Sequence, residues 1–519
     1  MAKSVSLSTQ SQNWVLAAMI LASSMASIDA SALNVALPAI QRSLNADATQ
    51  LVWVVNAYAL MLAALILVGG ALGDHLGRKK IMLVGISLFV GCSAACAVAP
   101  SIEWLIAART GQGLGGALLI PGSLAIITAL FDDKQRGKAI GTWSAAGALT
   151  GLAGPLLGGL LAGEGLWRVV FLLNIPLGLA AWAIIYRSVP ENRDESANGP
   201  VDYIGGGAAS LGLASLTYSF TMWSTLGPAQ PAVYGTLIGG IIGLTGFVWY
   251  EMRQPRPLVP MSLFSVGAFA GTNLLTLFLY GALSIVSFFL SLNLVQLQGY
   301  RPALAGLAFM PLPLPLILLS RWVGKLSDQY GPRQLLISGP IVTGLGFLGL
   351  SLIGLTKGAS DYWLTFMPCV LTMGIGLTLT VAPLTNTVMG AVPNHYAGTA
   401  SGINNAVARA AAVLALAVAG SVVLATFRHQ LRLQIDGLPL PAAVVEDLQA
   451  KSSQLGGTPI PAGISASGRA SVHRAIQLAF LHSFQVIMWV CTGLAWLSAI
   501  MAAFWVKRRQ KKPRPPVNQ

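Results

Sequence analysis

Residues 70–83 read GALGDHLGRKKIML, and residues 324–337 read GKLSDQYGPRQLLI. Gly70, Leu72, Asp74 and Gly77 of the first stretch fall on Gly324, Leu326, Asp328 and Gly331 of the second. Each stretch is a short polar link between two long apolar runs. A looser pair follows in the same order, RGKAIG at 136–141 and AGTASG at 397–402. Two copies in the same order imply two halves related by an axis along the membrane normal.

Working outward, 55% of the chain is hydrophobic and 9% is charged, with a mean hydropathy of +0.69. Soluble domains carry about 25% charged residues. Such a chain cannot cover a water-facing surface, so lipid is its solvent and its fold is expected to be all-α. The net charge of +14 does not indicate nucleic acid. The basic residues sit in short links between apolar runs and in the tail Lys507, Arg508, Arg509, Lys511, Lys512 and Arg514, with no basic stripe interleaved with aromatics.

A hydrocarbon core of about 30 Å takes about 20 apolar residues in a helix. Fourteen candidate spans fit, near 14–38, 50–73, 81–99, 103–130, 138–162, 166–187, 203–223, 231–250, 267–297, 302–325, 334–356, 361–390, 398–427 and 483–506. The repeat pairs spans 1–6 with spans 9–14. The expected division is 1–190 for the first six-helix bundle, 191–262 for a two-helix insert, and 263–519 for the second bundle. The first run contains Asp29 and Asn34, which suit a span better than a cleavable leader.

Lys and Arg set the orientation. With the N-terminus inside, the inner links hold Arg78, Lys79, Lys80, Lys134, Arg136, Lys138, Arg187, Arg193, Arg253, Arg256, Lys325 and Arg333. The short outer links hold only Arg42, Arg168, Arg301 and Lys357. A multi-pass protein of the inner (plasma) membrane with both termini cytoplasmic follows. One outer segment, 428–482, is long and carries Pro441, Gly456, Gly457 and Pro461. It reads either as a solvated loop or as a flap over the substrate path. The four cysteines and five histidines show no metal spacing, and no cofactor is expected.

Five stretches resemble motifs of one family. GALGDHLGRKK has the place and pattern of the loop between spans 2 and 3 of the major facilitator superfamily. DASALNVALP at 29–38 resembles the first-span motif of its fourteen-span drug:proton antiporters, and LIAARTGQGLGGA at 105–117 resembles the fourth-span motif built around an arginine, here Arg109. GALTGLAGPLLGG at 147–159 is similar to the fifth-span antiporter motif, and WRVVFLLNIPLG at 167–178 to the sixth-span stretch. The resemblance covers nearly the whole chain. It implies two six-helix bundles that rock about a central cavity, a small amphipathic substrate, and coupling to protons. The second loop departs from the pattern, with Gln329, Tyr330 and Pro332 where basic residues often stand.

The resemblance also implies roles for residues. Gly70, Asp74, Gly77, Arg78 and Lys79 would form a cytoplasmic gating loop, with Asp74 either a latch that breaks or a loop-anchoring ion pair. Gly147, Gly151, Gly154, Gly158 and Gly159 recur every three or four residues, with Pro155 among them. They read as a sliding surface toward span 10, or as static small-residue packing. GQGLGG at 111–116 has the spacing of a dinucleotide loop, but it lies within a span and no strand precedes it.

Asp29 is the most informative position. A carboxylate near mid-membrane costs roughly 2.5–3.5 kcal/mol on insertion scales, so it faces a cavity or a partner. Asp29 and Arg109 lie at similar depth on spans 1 and 4, which in the fold implied by the resemblance both line the central cavity, so a pair is expected. Three readings stand open for Asp29: a proton carrier, a fixed structural ion pair, or a binder of cationic substrate. Asn34, Gln112, Asn273, Tyr280, Phe288, Asn293, Gln296, Met373 and Asn386 are candidates for the cavity wall, with Trp53, Asn56 and Tyr58 nearby. Arg409, inside a span after Asn404 and Asn405, reads as a hydrogen-bonding hub or as a contact for an anionic group.

The expected function is proton-coupled export of hydrophobic or amphipathic small molecules, drugs included, by a monomer. The alternative cargo is a lipid or an endogenous metabolite. A membrane enzyme or a receptor is disfavoured, because no nucleophile–base pair, metal cluster or large soluble domain is visible.

Overall fold

The structure, a computed structural model, describes residues 9–131, 133–191, 202–227, 229–255, 257, 259–392, 397–436, 438–461 and 464–506. The basic tail lies outside them, and so does the side chain of Asp74. The described residues fold as helices. In order these are α1 (Thr9–Leu44), α2 (Ala48–Leu76), α3 (Arg78–Ala97), α4 (Ile102–Leu130), α5 (Asp133–Gly163), α6 (Trp167–Leu172), α7 (Asn174–Ser188), α8 (Tyr203–Leu226) and α9 (Pro231–Glu251). There follow α10 (Gly267–Leu292), α11 (Pro302–Leu307), α12 (Leu314–Tyr330), α13 (Pro332–Leu352), α14 (Phe366–Gly390), α15 (Ala397–Ile435), α16 (Ala442–Ala450) and α17 (Ala466–Trp505).

Eleven helices of the described residues are long and apolar enough to cross a membrane. The expected spans 138–162, 203–223 and 302–325 coincide with α5, α8 and the α11–α12 pair, which do not meet that test. Proline explains the last case. Met310 to Pro313 are turns, and Pro311, Pro313 and Pro315 remove backbone donors where one long helix was expected. The sixth span is likewise broken into α6 and α7 at Leu173.

Side-chain caps start several helices. Asp47 Oδ1 accepts from Gln50 N at 2.7 Å and Gln50 Oε1 accepts from Asp47 N at 3.0 Å, a reciprocal box at the head of α2. Ser101 caps α4, Asp202 caps α8 and Ser465 caps α17. These caps satisfy donors at the helix ends, where the helix ladder cannot.

The two repeat stretches take the same local form. Gly77 (φ 108°) joins α2 to α3, and Gly331 (φ 83°) joins α12 to α13. Each donates its N–H four residues back, to Gly73 O at 3.0 Å and to Ser327 O at 2.9 Å. Positive φ suits glycine, which explains why this residue recurs in both copies.

α1 to α7 pack mainly on one another, as do α10, α12 to α15 and α17, whereas α11 packs mainly on α5. α8 and α9 pair together and reach α2 and α15 through α8. α9 turns Ile238, Ile241, Ile242 and Trp249 outward, as a lipid-facing helix should. At the end bearing residues 42–51 and 163–167 the two groups touch. Ser291 Oγ donates to Asn34 O at 2.7 Å, and Asn56 Nδ2 donates to Val413 O at 3.3 Å. A Cβ placed on Gly306 of α11 would strike Pro155 O of α5. Midway along α5, and nearer the repeated loops on α12 and α14, a Cβ on Gly147, Gly151, Gly324 or Gly390 would meet open space. The two groups of helices are therefore joined at the end bearing residues 42–51 and 163–167.

The long segment after α15 is more ordered than its composition suggests. α15 continues to Ile435, with Phe427, Leu431 and Ile435 buried, and α17 begins already at Ala466. Between them the chain lies over the joined end. Gln41 Nε2 donates to Gln454 O at 3.3 Å, and Gln296 Nε2 donates to Gln41 Oε1 at 2.5 Å, joining α1, the turn after α10 and this segment. Leu455 is buried there at φ 55°.

Candidate functional site

Asp29 of α1 is completely buried. Arg109 of α4 donates from Nη1 to its Oδ2. Oδ1 accepts from Asn174 Nδ2 at 2.8 Å and from Gln112 Nε2 at 3.2 Å. Behind these, Ser93 Oγ of α3 accepts from Gln112 Nε2 at 2.7 Å and from Asn174 Nδ2 at 3.2 Å. Arg109 also donates to Gln112 Oε1 at 2.8 Å and, through Nε, to Val54 O at 3.2 Å. Its guanidinium stacks on the Tyr58 ring, 4.4 Å from the centroid. Five helices thus converge on one neutral ion pair.

The arrangement satisfies the demands of burial. A dry carboxylate is tolerated only when paired and hydrogen-bonded, and here three donors from two neighbouring helices surround it. The sequence had brought Asp29 and Arg109 together, and the structure pairs them. It places Gln112 in this network and not on a cavity wall. Ser93 and Asn174 were missed as members, although Asn174 lay inside the quoted sixth-span stretch. Asn174 opens α7 just after Leu173, whose backbone stays helical, and its side chain meets Asp29 and Ser93.

The loop between α2 and α3 is held by a residue that the sequence did not single out. Glu191, just past α7, accepts from Lys79 N at 3.1 Å, and a Cβ on Gly77 would lie 2.5 Å from its Oε1. A carboxylate at the start of α3 satisfies an orphan helix donor and the helix dipole. Lys79 Nζ reaches back to Tyr186 O at 2.8 Å. Gly70 lies against Pro121 of α4.

The glycines of α5 divide by depth. Cβ atoms on Gly154 and Gly158 would strike Ser31 and Ala32 of α1, within the same group of helices. One on Gly159 would lie 2.5 Å from Pro302 O of α11, across the interface. Gly147 and Gly151 touch nothing. Toward α11, in the expected span 10, α5 presents Gly159 and the carbonyl of Pro155. The glycines of 111–116 are helix contacts: Gly113 faces Tyr58 O and Gly115 faces Phe89 N.

Residues 19–416 match the family described as Major Facilitator Superfamily. The chain belongs to this superfamily. Its curated relatives include the multidrug resistance protein Stp of Mycobacterium tuberculosis, 34% identical over 77% of this chain and 73% of that one. The multidrug efflux pump LfrA of Mycolicibacterium smegmatis is 30% identical over 86% of this chain and 87% of the relative. The tetracenomycin C resistance and export protein of Streptomyces glaucescens is 28% identical over 95% and 91%. A solved bacterial homologue of the human lysosomal transporter Spinster, described as inward-facing and unoccupied, has a TM-score of 0.63 at 17% identity, covering 98% of this chain and 100% of that one. This major facilitator protein is a transporter and not an enzyme.

The remaining expected wall residues of this major facilitator chain are scattered. Asn34 is part-buried and lends its carbonyl to Ser291; Tyr280 is part-buried on α10; Asn386 is exposed near the end of α14. Asn273 accepts from Asn404 Nδ2 at 3.2 Å. Asn293 is buried in a π-turn with neither side-chain polar atom hydrogen-bonded. Arg409 of α15 is part-buried, and its Nε is buried without a hydrogen-bond partner.

Proposed function

We propose that the protein is a fourteen-span drug:proton antiporter of the plasma membrane, exporting hydrophobic or amphipathic small molecules. In this reading both termini and the repeated loops face the cytoplasm, and the two six-helix halves rock about a central cavity, with α8 and α9 as an insert between them in sequence. The printed names of the relatives, multidrug resistance and efflux proteins, support the cargo class.

The observation that carries the coupling is Asp29, a carboxylate held dry by Arg109, Gln112 and Asn174. A proton arriving there would cancel the ion pair and release Arg109 from one partner. The helices α1 and α4 would then lose the contact that fixes their spacing. Protonation and rearrangement are linked in this way, because each changes the free energy of the other. The expected spans of the second half carry no acidic residue except Asp328 and Asp361, which stand at their ends.

The test is transport in sealed proteoliposomes with an imposed pH gradient, read as ethidium movement and internal pH together. Export coupled to proton entry is expected. Ethidium movement that ignores the gradient would remove the coupling, and proton movement elicited only by a lipid or metabolite would reassign the cargo.

A further inference from the structure

Arg409 lies within the apolar helix segment Gly402–Ile435, where an unpaired guanidinium is expensive. From Val266 to Ile435 the chain contains only two acidic residues, Asp328 and Asp361, both at helix ends. Asp29, the buried carboxylate of the first group's network, already serves Arg109, Gln112 and Asn174. Arg409 is nevertheless turned toward the first group of helices, since Ala406, Ala410 and Val413 of the same helix pack against residues of α2 and its neighbours. It lies within electrostatic reach of Tyr58, whose ring carries Arg109 on one side. One turn nearer the start of α15, on the same face, Asn405 is exposed. Among the described residues nothing accepts a hydrogen bond from the buried Nε.

A cation kept in this position without a protein anion has a use if the anion arrives with the cargo. The guanidinium fork matches a carboxylate or sulfonate, and the low dielectric between the halves strengthens the pair. We infer that Arg409 is the anion-binding handle of the substrate site, so that the exported amphiphiles include a class carrying a carboxylate or sulfonate group. The inference rests on the export reading above. It adds that the two halves divide the work: the first holds the proton on Asp29, and the second holds the negative end of the cargo. Arg109 lies on the Tyr58 ring, and Arg409 lies within reach of the same tyrosine.

The experiment uses three probes with one apolar body: pyrenebutyrate, its methyl ester, and a pyrenebutyl trimethylammonium salt. Binding to the purified full chain is measured by fluorescence for the wild type, Arg409→Gln and Arg409→Lys, with thermal unfolding as a check on folding. Wild type should favour the acid over the ester. Arg409→Gln should lower that ratio by about tenfold, the size expected of one charge-assisted pair, and Arg409→Lys should recover part of it. A ratio unchanged in both variants, or all three affinities falling together, would overturn the assignment. If the wild type exports the ester and the cation but shows no preference for the acid, the anion handle fails while export stands. If it moves none of the three, both fail.

Discussion

Asp29 and Arg109 are joined by contacts that differ in what each could tolerate losing. Replacing Asp29 with Asn removes the charge but leaves Arg109 buried, with Gln112 and Val54 O as its remaining acceptors. Breaking a buried pair from one side costs about 3–5 kcal/mol. The single variant Asp29→Asn should therefore lose proton-driven efflux and also unfold at lower temperature. The double variant Asp29→Asn with Arg109→Gln restores neutrality. It should regain most of the lost thermal stability and none of the coupling. Recovery of coupled transport in the double variant would show that the pair is structural only. Asn174→Ala offers a milder probe, since it deletes one donor at 2.8 Å and leaves the ion pair intact. It should slow coupled efflux severalfold without loss of protein, measured in the same vesicles.

At the scale of elements, α5 reports on both ends of the cycle. Gly151→Leu meets open space in this conformation, whereas Gly159→Leu meets the backbone of Pro302. The two variants should trap opposite states. Gly151→Leu should resist closing at the loop end. Gly159→Leu should be held away from α11 and favour the other state. Spin-label distances across each end would separate them, and equal distances in both variants would make the stripe passive packing. The link between α2 and α3 makes a second element-scale prediction. Gly77→Ala imposes a Cβ on a residue at φ 108° and crowds Glu191. A loss of roughly 1–3 kcal/mol in stability is expected for strain of this kind, read from the unfolding midpoint. Glu191→Ala should loosen the same loop without the backbone strain, detectable as faster amide exchange at Lys79.

For the whole molecule, the joined end is a shared construction. α1, α5, α10, α11 and the segment before α17 all contribute, and the Gln296–Gln41–Gln454 chain crosses it. Cysteines placed at Asn34 and Ser291 and joined by a short thiol crosslinker should stop turnover, with reversal on cleavage of a reducible linker. Substrate should still reach the site from the loop end in the linked protein. Turnover in the linked protein would mean that this end need not open.

Much of this was legible in one dimension. Apolar run length and the cost of bare backbone in lipid require helices, and they place most of the spans without any contact. The paired loops of 70–83 and 324–337 disclosed a repeat because positive φ at Gly77 and Gly331 is a local demand that only glycine meets cheaply. Asp29 and Arg109 stood out because an ionised group in a span needs a partner wherever it faces. The rest was decided in three dimensions. Whether Gln112 joins Asp29, whether Ser93 and Asn174 close the shell, and which glycines of α5 meet α1 or α11 all depend on how far each helix is rotated about its axis. A helix in lipid is apolar on every side, so its sequence carries little record of which face turns inward. Packing against neighbours sets that rotation, and only the assembled fold contains the neighbours.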